Sequence, residues 1–443
     1  MTGKPKLIEP RTLKGFRDYP PALMIPREEV LQTARSVYRA HGFAPMDTPA
    51  LEYAEILTGK GGEESDRLIY RFRDQGDRDV ALRFDLTVPF ARFAALHIPK
   101  LGTPFKRYAM GPVWRGENTS HGRYREFWQC DFDTIGTTAN AADIEVALVI
   151  HELLVTLGLE RFEIRINNRL ILNGLLEEAG LVHQSVAVLR ALDKLPKVGM
   201  EAVLEEMAGH GIPPQTARLV LEWASAKGET DEILDRLARA FPTNQTLNEG
   251  IRRLRELFLV VNTCGLPMER FRLDLAIARG LDYYTGTIYE TFLLDLVGIG
   301  SICSGGRYDN LAGVFTQQKL PGVGASLGVD RLLTALEELD QVGKKETPAQ
   351  ILVTQFDSGS LGHYYRIASL LRKDGFSVEV FPEARKIGQQ LQYAEKKGHR
   401  LAVIAGPEEL SVGGWKLKNL FKRTECQFGE GELAQAAKRE LDS

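Results

Sequence analysis

Between Asp79 and Gly136 polar and apolar residues alternate in much of the text: VALRFDLTVPFARF, then PFKRYAMGPVWRG, then GRYREFWQCDFDTIG. Alternation at period two sends successive side chains to opposite faces of a strand. Segments of this kind predict an antiparallel sheet with one face on a core and the other available. The available face is rich in Arg, Asp, Glu and Gln and also carries aromatic residues. Such a mixture suits a lined cleft at least as well as it suits solvent.

The remaining text sorts around this sheet. Residues 26–41, PREEVLQTARSVYRAH, have helical periodicity, and GFAPMDTPALEY reads as a strand broken by Pro45 and Pro49, which belongs at an edge. VALVIHELLVTLGL at 146–159 is too short to span a bilayer and carries His151 and Glu152, so it reads as a core helix. Helix-period segments separated by Gly and Pro fill residues 184–261, after which strand text resumes with FRLDLAIARGLDYYTGTIYETFL. An inserted helical module at about 175–261 inside a domain spanning 1–338 is the organisation this predicts. Residues 339–349 read as a linker, and 350–443 alternate strand and helix as a small α/β domain with parallel strands does.

Composition narrows the class. With 44% hydrophobic and 26% charged residues the chain is typical of a soluble globular protein. The four cysteines form no CxxC pair, which argues against zinc, a redox dithiol or a disulfide scaffold and predicts four buried, reduced thiols. No apolar run follows the N-terminal charges, so no secretory signal is expected and the location is read as cytoplasmic. Residues 384–425 hold nine Lys or Arg against four acids, a local +5 in a chain of −3, as a phosphate-backbone surface would need.

The glycine-rich stretches are not nucleotide fingerprints. GVGASLGVDRLL lacks the G-x-G-x-x-G spacing, and TGKGGEES lacks that of a P-loop. Arginines instead recur at unusual places: Arg115 after VW, Arg123 and Arg125 in GRYREF, Arg279 before LDYYTG, and Arg331 opening a helix. Fixed guanidinium groups at several points suit a polyphosphate. No spacing of candidate ligands marks a metal site.

These motifs together resemble class II aminoacyl-tRNA synthetases. VWRGE with GRYREFWQCDFDTIG resembles the strand-loop-strand of motif 2, GVGASLGVDRL resembles motif 3, and HGFAPMDTPALE resembles motif 1, a dimer-interface element. RGLDYYTG, LRFDLTVPFAR and GGRYDNL are similar to the histidyl-tRNA synthetase family in particular. The resemblance implies an α+β fold: a class II catalytic domain of antiparallel sheet flanked by helices, an inserted helical module, and a C-terminal α/β anticodon-binding domain. It implies ATP-dependent activation of L-histidine and transfer to tRNA(His) by a homodimer, with Mg²⁺ bound mainly through ATP phosphates.

Site roles follow from the same resemblance. Arg115 and Arg279 would be catalytic, one on each side of the α-phosphate. Arg115, Glu117, Arg123, Phe127 and Arg331 would bind ATP, with Glu117 on the adenine edge, Phe127 on its face, and Arg123 and Arg331 on the outer phosphates. Asp85, Thr87, Gln129, Asp133, Arg279, Tyr283, Tyr284 and Tyr308 would bind histidine, whose neutral ring offers one donor and one acceptor. Adjacent strand residues point to opposite faces, so Tyr284 is the phenol expected in the pocket. One departure concerns the motif 2 loop: where many bacterial relatives carry Arg-Pro-Gln, this chain has Asn118, Thr119 and Ser120, which implies weak reading of the extra 5′ guanosine of tRNA(His). The alternative reading is the regulatory paralogue of the catalytic domain that serves ATP phosphoribosyltransferase. Retention of the arginines and of the C-terminal residues weighs against it.

Overall fold

The computed structural model describes residues 8–59, 66–278, 283–342 and 345–442. Arg279, with Gly280, Leu281 and Asp282 of RGLDYYTG, lies outside the described residues. The chain divides into two compact units, one of Met1–Arg17 and Val30–Glu338, the other of Asp18–Glu29 and Leu339–Ser443.

In the first unit the strands are, in chain order, β1 Ala44–Pro45, β2 Leu51–Tyr53, β3 Arg71–Arg73, β4 Asp79–Leu82, β5 Phe105–Trp114, β6 Glu126–Ile135, β7 Phe162–Asn168, β8 Phe271–Leu273, β9 Thr287–Leu293, β10 Cys303–Tyr308 and β11 Gly322–Gly328. Eight of them form one sheet in the order β1-β5-β6-β11-β10-β9-β7-β8, and β2-β4-β3 form a second. Every neighbouring pair in the large sheet is antiparallel except β1 with β5 and β7 with β8. Its core-facing side closes on aromatic rings: Tyr38 lies 4.9 Å from Phe132 and 5.8 Å from Tyr108, and its hydroxyl donates to Cys130 O at 3.1 Å. The helix Asn140–Thr156 contains the apolar run 146–159 up to its end and is buried along most of its length, His151 included.

Several expectations are corrected. LTVPFARF is not strand: Thr87–Leu101 is a helix. Its buried residues Val88, Ala91, Ala94 and Ile98 recur at helical spacing, Pro89 sits in the first turn where no N–H is needed, and the Asp85 carboxylate accepts from Val88 N at 3.0 Å. The GFAPMDTPALEY segment is not one strand either. β1 adds to the edge of the large sheet and β2 joins the small one, with the prolines at the break. The text from Phe271 to Leu293 likewise splits into β8 and β9. Of the four cysteines only Cys130 and Cys303 are buried; Cys264 follows a helix C-terminus and Cys426 lies in an edge strand, and both are exposed.

Helices Ser185–Gly209, Pro214–Ala224, Thr230–Ala240 and Gln245–Thr263 occupy the segment between β7 and β8, the first of them broken at Gly199, whose φ is +81°. In the second unit β12 Ile351–Val353, β13 Val378–Val380 and β14 Leu401–Ile404 are parallel, joined through helices Leu361–Lys373 and Ile387–Lys397. β15 Gly414–Asn419 and β16 Glu425–Gly429 extend this sheet antiparallel. At least four of the nine basic residues of 384–425 are tied to carboxylates: Arg385 to Glu383, Lys397 to Glu346, Lys416 to Glu409 and Lys418 to Glu425. Among the described residues no helix is long and apolar enough to cross a membrane.

Candidate active site

The period of β6 builds the site. Phe127, Gln129, Asp131 and Asp133 alternate onto one face, flanked by small residues on β11 and, except at Arg107, on β5. On β11, Gly328, Ser326 and Gly324 stand opposite Gln129, Asp131 and Asp133. On β5, Gly111 and Ala109 stand opposite Gln129 and Asp131, and Arg107 opposite Asp133. A furrow of polar groups with low walls results, and two cavities open along it.

The larger cavity encloses about 650 Å³ of empty space, part of it open to solvent. Arg115, Glu117, Arg123, Phe127, Gln129 and Arg331 line it together with Tyr124, Ser301, Ile302, Ser304, Ser326 and Asp330. The smaller one encloses about 210 Å³ and is lined by Thr87, Asp133, Tyr284, Tyr308, Ser304, Gly324, Ala325 and Ser326. Ser304 and Ser326 belong to both, so the two cavities adjoin. Asp85 and Tyr283 line neither.

In the larger cavity Arg115 and Arg331 are each held by a backbone carbonyl. Arg115 Nε donates to Phe84 O at 2.9 Å, and its guanidinium lies 5.1 Å from the Phe127 ring centre. Arg331 Nη1 donates to Ser301 O at 2.5 Å. Glu117 stands between Arg115 at 3.7 Å and Arg123 at 3.5 Å, as a counter-charge to both. Asp330 accepts from Trp128 N at 2.6 Å and faces Arg17 at 3.5 Å. Arg125 reaches Glu117 O and Lys14 O instead, which ties the loop after β5 to the N-terminal segment.

The smaller cavity is a nest of buried acids and phenols. Tyr308 donates to Asp133 Oδ1 at 2.6 Å. Tyr283 and Tyr284 precede β9 and are not paired in a strand, so the alternation expected of them does not apply. Their rings meet edge to face at 5.1 Å, and Tyr283 stands 5.9 Å from Tyr308. Tyr284 lines the cavity, while the Tyr283 hydroxyl reaches toward Asp85 Oδ2 at 3.5 Å. Burial raises the Asp85 carboxyl to about 6 against the pull of the Val88 N–H, Arg115 and Arg107. Burial also raises Asp131 and Asp133, and Arg107 opposes the rise in both.

Asp131, Arg107, Ser304, Ser326, Tyr124 and Asp330 were not anticipated. Asp131 was findable, being two residues from both Gln129 and Asp133 and therefore on their face. Arg107 becomes visible only through the strand register. Asp131 also carries a stability prediction. A carboxyl raised in the folded state binds its proton more tightly than in the unfolded chain, so its contribution to stability falls as pH rises from its ordinary value near 4. Asp131→Asn is expected to raise the melting temperature of the ligand-free protein at pH 8 by more than it does at pH 5. Thermal melts at the two pH values measure this, and an equal or reversed difference would refute it.

A family model described as histidyl-tRNA synthetase matches residues 15–332, and one described as anticodon binding domain matches 350–440. A curated histidine–tRNA ligase of Rhodopirellula baltica is 54% identical over 94% of each chain, and one of Wolinella succinogenes is 46% identical over the same shares. The solved structure of histidyl-tRNA synthetase from Nostoc sp. PCC 7120 superposes with a TM-score of 0.89 at 35% identity, covering 98% of this chain and 100% of that one. With two adjoining cavities of this chemistry, both matched models and relatives of this identity, the chain belongs to the histidyl-tRNA synthetase family.

Proposed function

We propose that the chain activates L-histidine with ATP and transfers it to tRNA(His), and that the two adjoining cavities divide that work. The observation that carries this reading is their shared wall at Ser304 and Ser326, which brings an arginine-lined cleft against a pocket of acids and phenols. ATP occupies the larger cavity, its adenine on Phe127 beside Glu117, its phosphates among Arg115, Arg123 and Arg331. Histidine occupies the smaller one, read by Thr87, Asp133, Tyr284 and Tyr308, with Gln129 reaching it from the wall of the larger cavity and Asp85 and Tyr283 behind. Arg279 is assigned to the far side of the α-phosphate.

The histidine carboxylate attacks the α-phosphorus, the bond to pyrophosphate breaks, and a ribose hydroxyl of the terminal adenosine of tRNA then takes the acyl group. No side chain needs to act as nucleophile; the demands are positioning and stabilisation of charge at phosphorus. Magnesium neutralises the outer phosphates when bound. Glu117 and Asp330, the carboxylates of the cleft, are already engaged by arginines or by a backbone donor, so phosphates and water supply most of its oxygen ligands.

The C-terminal unit reads the anticodon, supported by its basic residues and its matched model. The short side chains of Asn118, Thr119 and Ser120 support weak dependence on the extra 5′ guanosine, since they cannot form the two-bond fork of arginine to guanine. The homodimer is supported by the edge position of β1 and by exposed Leu51, Tyr53 and Phe72 on the small sheet. Cytoplasmic location follows from the reaction assigned.

ATP–pyrophosphate exchange with each amino acid tests the reading. Histidine alone is expected to support exchange. Exchange with another amino acid would assign a different substrate, and none with any would favour the regulatory paralogue.

A further inference from the structure

Beneath the smaller cavity lies a cation that the reaction as described does not use. Arg107 is wholly buried and lines neither cavity. Its Nη2 is 2.7 Å from Asp133 Oδ2 and 4.0 Å from Asp131 Oδ2. The same nitrogen donates to Leu86 O at 3.1 Å, the carbonyl between Asp85 and Thr87. Its guanidinium rests over the ring of Phe90, 4.5 Å from the centre, in the helix that Thr87 opens. One nitrogen therefore joins β6, which carries Asp133, to the turn that carries Asp85 and Thr87.

Stability is a weak explanation for this arrangement. Replacing a buried ion pair by apolar groups is often neutral or stabilising. Arg107 Nε and Nη1 have no hydrogen-bond partner among the described residues, so the cation is incompletely satisfied where it lies. What it does fix is orientation. Asp133 Oδ1 is held by the Tyr308 hydroxyl and Oδ2 by the charge of Arg107. Asp133 Oδ2 has no hydrogen-bond donor among the described residues, so the charge of Arg107 is what holds that buried oxygen while the residue lines the smaller cavity. Burial raises the carboxyls of Asp85, Asp131 and Asp133, and the Arg107 charge opposes that rise in all three.

We propose that Arg107 is a positioning residue for amino-acid selection: it holds Asp133 as an oriented acceptor and ties the Asp85–Thr87 turn to it, so that a ring N–H meets a fixed pair of walls. This rests on the histidine reading above. A wild-type protein without histidine-dependent exchange would defeat that reading itself, whereas the comparison of variants below addresses Arg107 alone.

The test compares wild type, Arg107→Met and Arg107→Lys in pyrophosphate exchange. The substrates are L-histidine and 3-(thiazol-4-yl)alanine, an isostere with a ring acceptor but no ring N–H. Arg107→Met is expected to raise KM for histidine at least about tenfold, to leave KM for ATP within about threefold, and to lower the preference for histidine over the isostere at least about tenfold. Arg107→Lys keeps the charge but not the fork, and is expected to keep more of that preference than Arg107→Met while falling at least about threefold below wild type. A preference unchanged in Arg107→Met, or losses equal for histidine, isostere and ATP, would overturn the proposal. Should Arg107→Met not fold, Arg107→Lys decides: a preference within about twofold of wild type overturns it, and a larger fall supports it.

Discussion

Arg115→Ala is expected to slow histidine-dependent adenylate formation by ~10²–10³ while KM for histidine changes by about threefold or less. Arg115 follows directly on β5, and the bond from its Nε to Phe84 O sets the plane of its guanidinium before ATP binds. Glu117 at 3.7 Å is its counter-charge in the cleft. A cation so fixed needs little reorganisation when negative charge builds at the α-phosphorus, so its loss falls on the transition state more than on substrate binding. Arg115→Lys is expected to recover little, because a single ammonium cannot both donate to Phe84 O and reach a phosphate. Single-turnover adenylate formation at saturating ATP measures the effect. A rate within about tenfold of wild type would remove Arg115 from the reacting centre.

How much of this site was legible depended on which level of structure placed each residue. β6 was legible because strand period alone puts Phe127, Gln129 and Asp133 on one face. The same rule reaches Asp131, which the family resemblance passed over. Arg107 is different in kind. Nothing near it in sequence marks it, and its partner appears only when the β5–β6 ladder sets it opposite Asp133. Register across a loop is a tertiary fact.

Local chemistry also misled where two readings competed. LTVPFARF holds a β-branched pair and a proline, which lower helix propensity, yet the segment is helical. Burial of Val88, Phe90, Ala91 and Ala94 and the carboxylate of Asp85 on Val88 N outweigh that preference. The strand rule treats Tyr283 and Tyr284 as neighbours on opposite faces, but the chain is irregular there: Tyr283 reaches toward Asp85 and Tyr284 lines the cavity with Asp133. The basic C-terminal segment shows the limit of counting charge. Local carboxylates meet at least four of its nine cations, so the field offered to RNA is narrower than the sequence suggests.

Gly324→Ala is expected to lower kcat/KM for histidine by ~10² or more with only a modest loss of stability. Gly324 lies in the middle of β11, between Asp133 on β6 and Gly306 on β10. A Cβ there would overlap Asp133 Oδ1 and the carbonyl oxygen of Phe132. One overlap pushes the Asp133 carboxylate directly, and the other presses on the β6 backbone that carries it. The carboxylate is itself clamped, by Tyr308 on one oxygen and Arg107 on the other. Overpacking of a well-filled interior costs roughly 1–3 kcal/mol, which in a domain of this size shifts the melting temperature by only about 2–4 °C per kcal/mol. A displacement of about 1 Å at a group that must meet a ring N–H costs a larger factor in rate, ~10²-fold. The ATP side is lined mainly by other residues, so KM for ATP is expected to stay within about threefold. Exchange kinetics with histidine and ATP varied separately, alongside a thermal melt, distinguish the outcomes. Equal losses on both substrates, or a melting temperature lowered by more than about 12 °C, would mean the glycine serves the sheet and not the pocket.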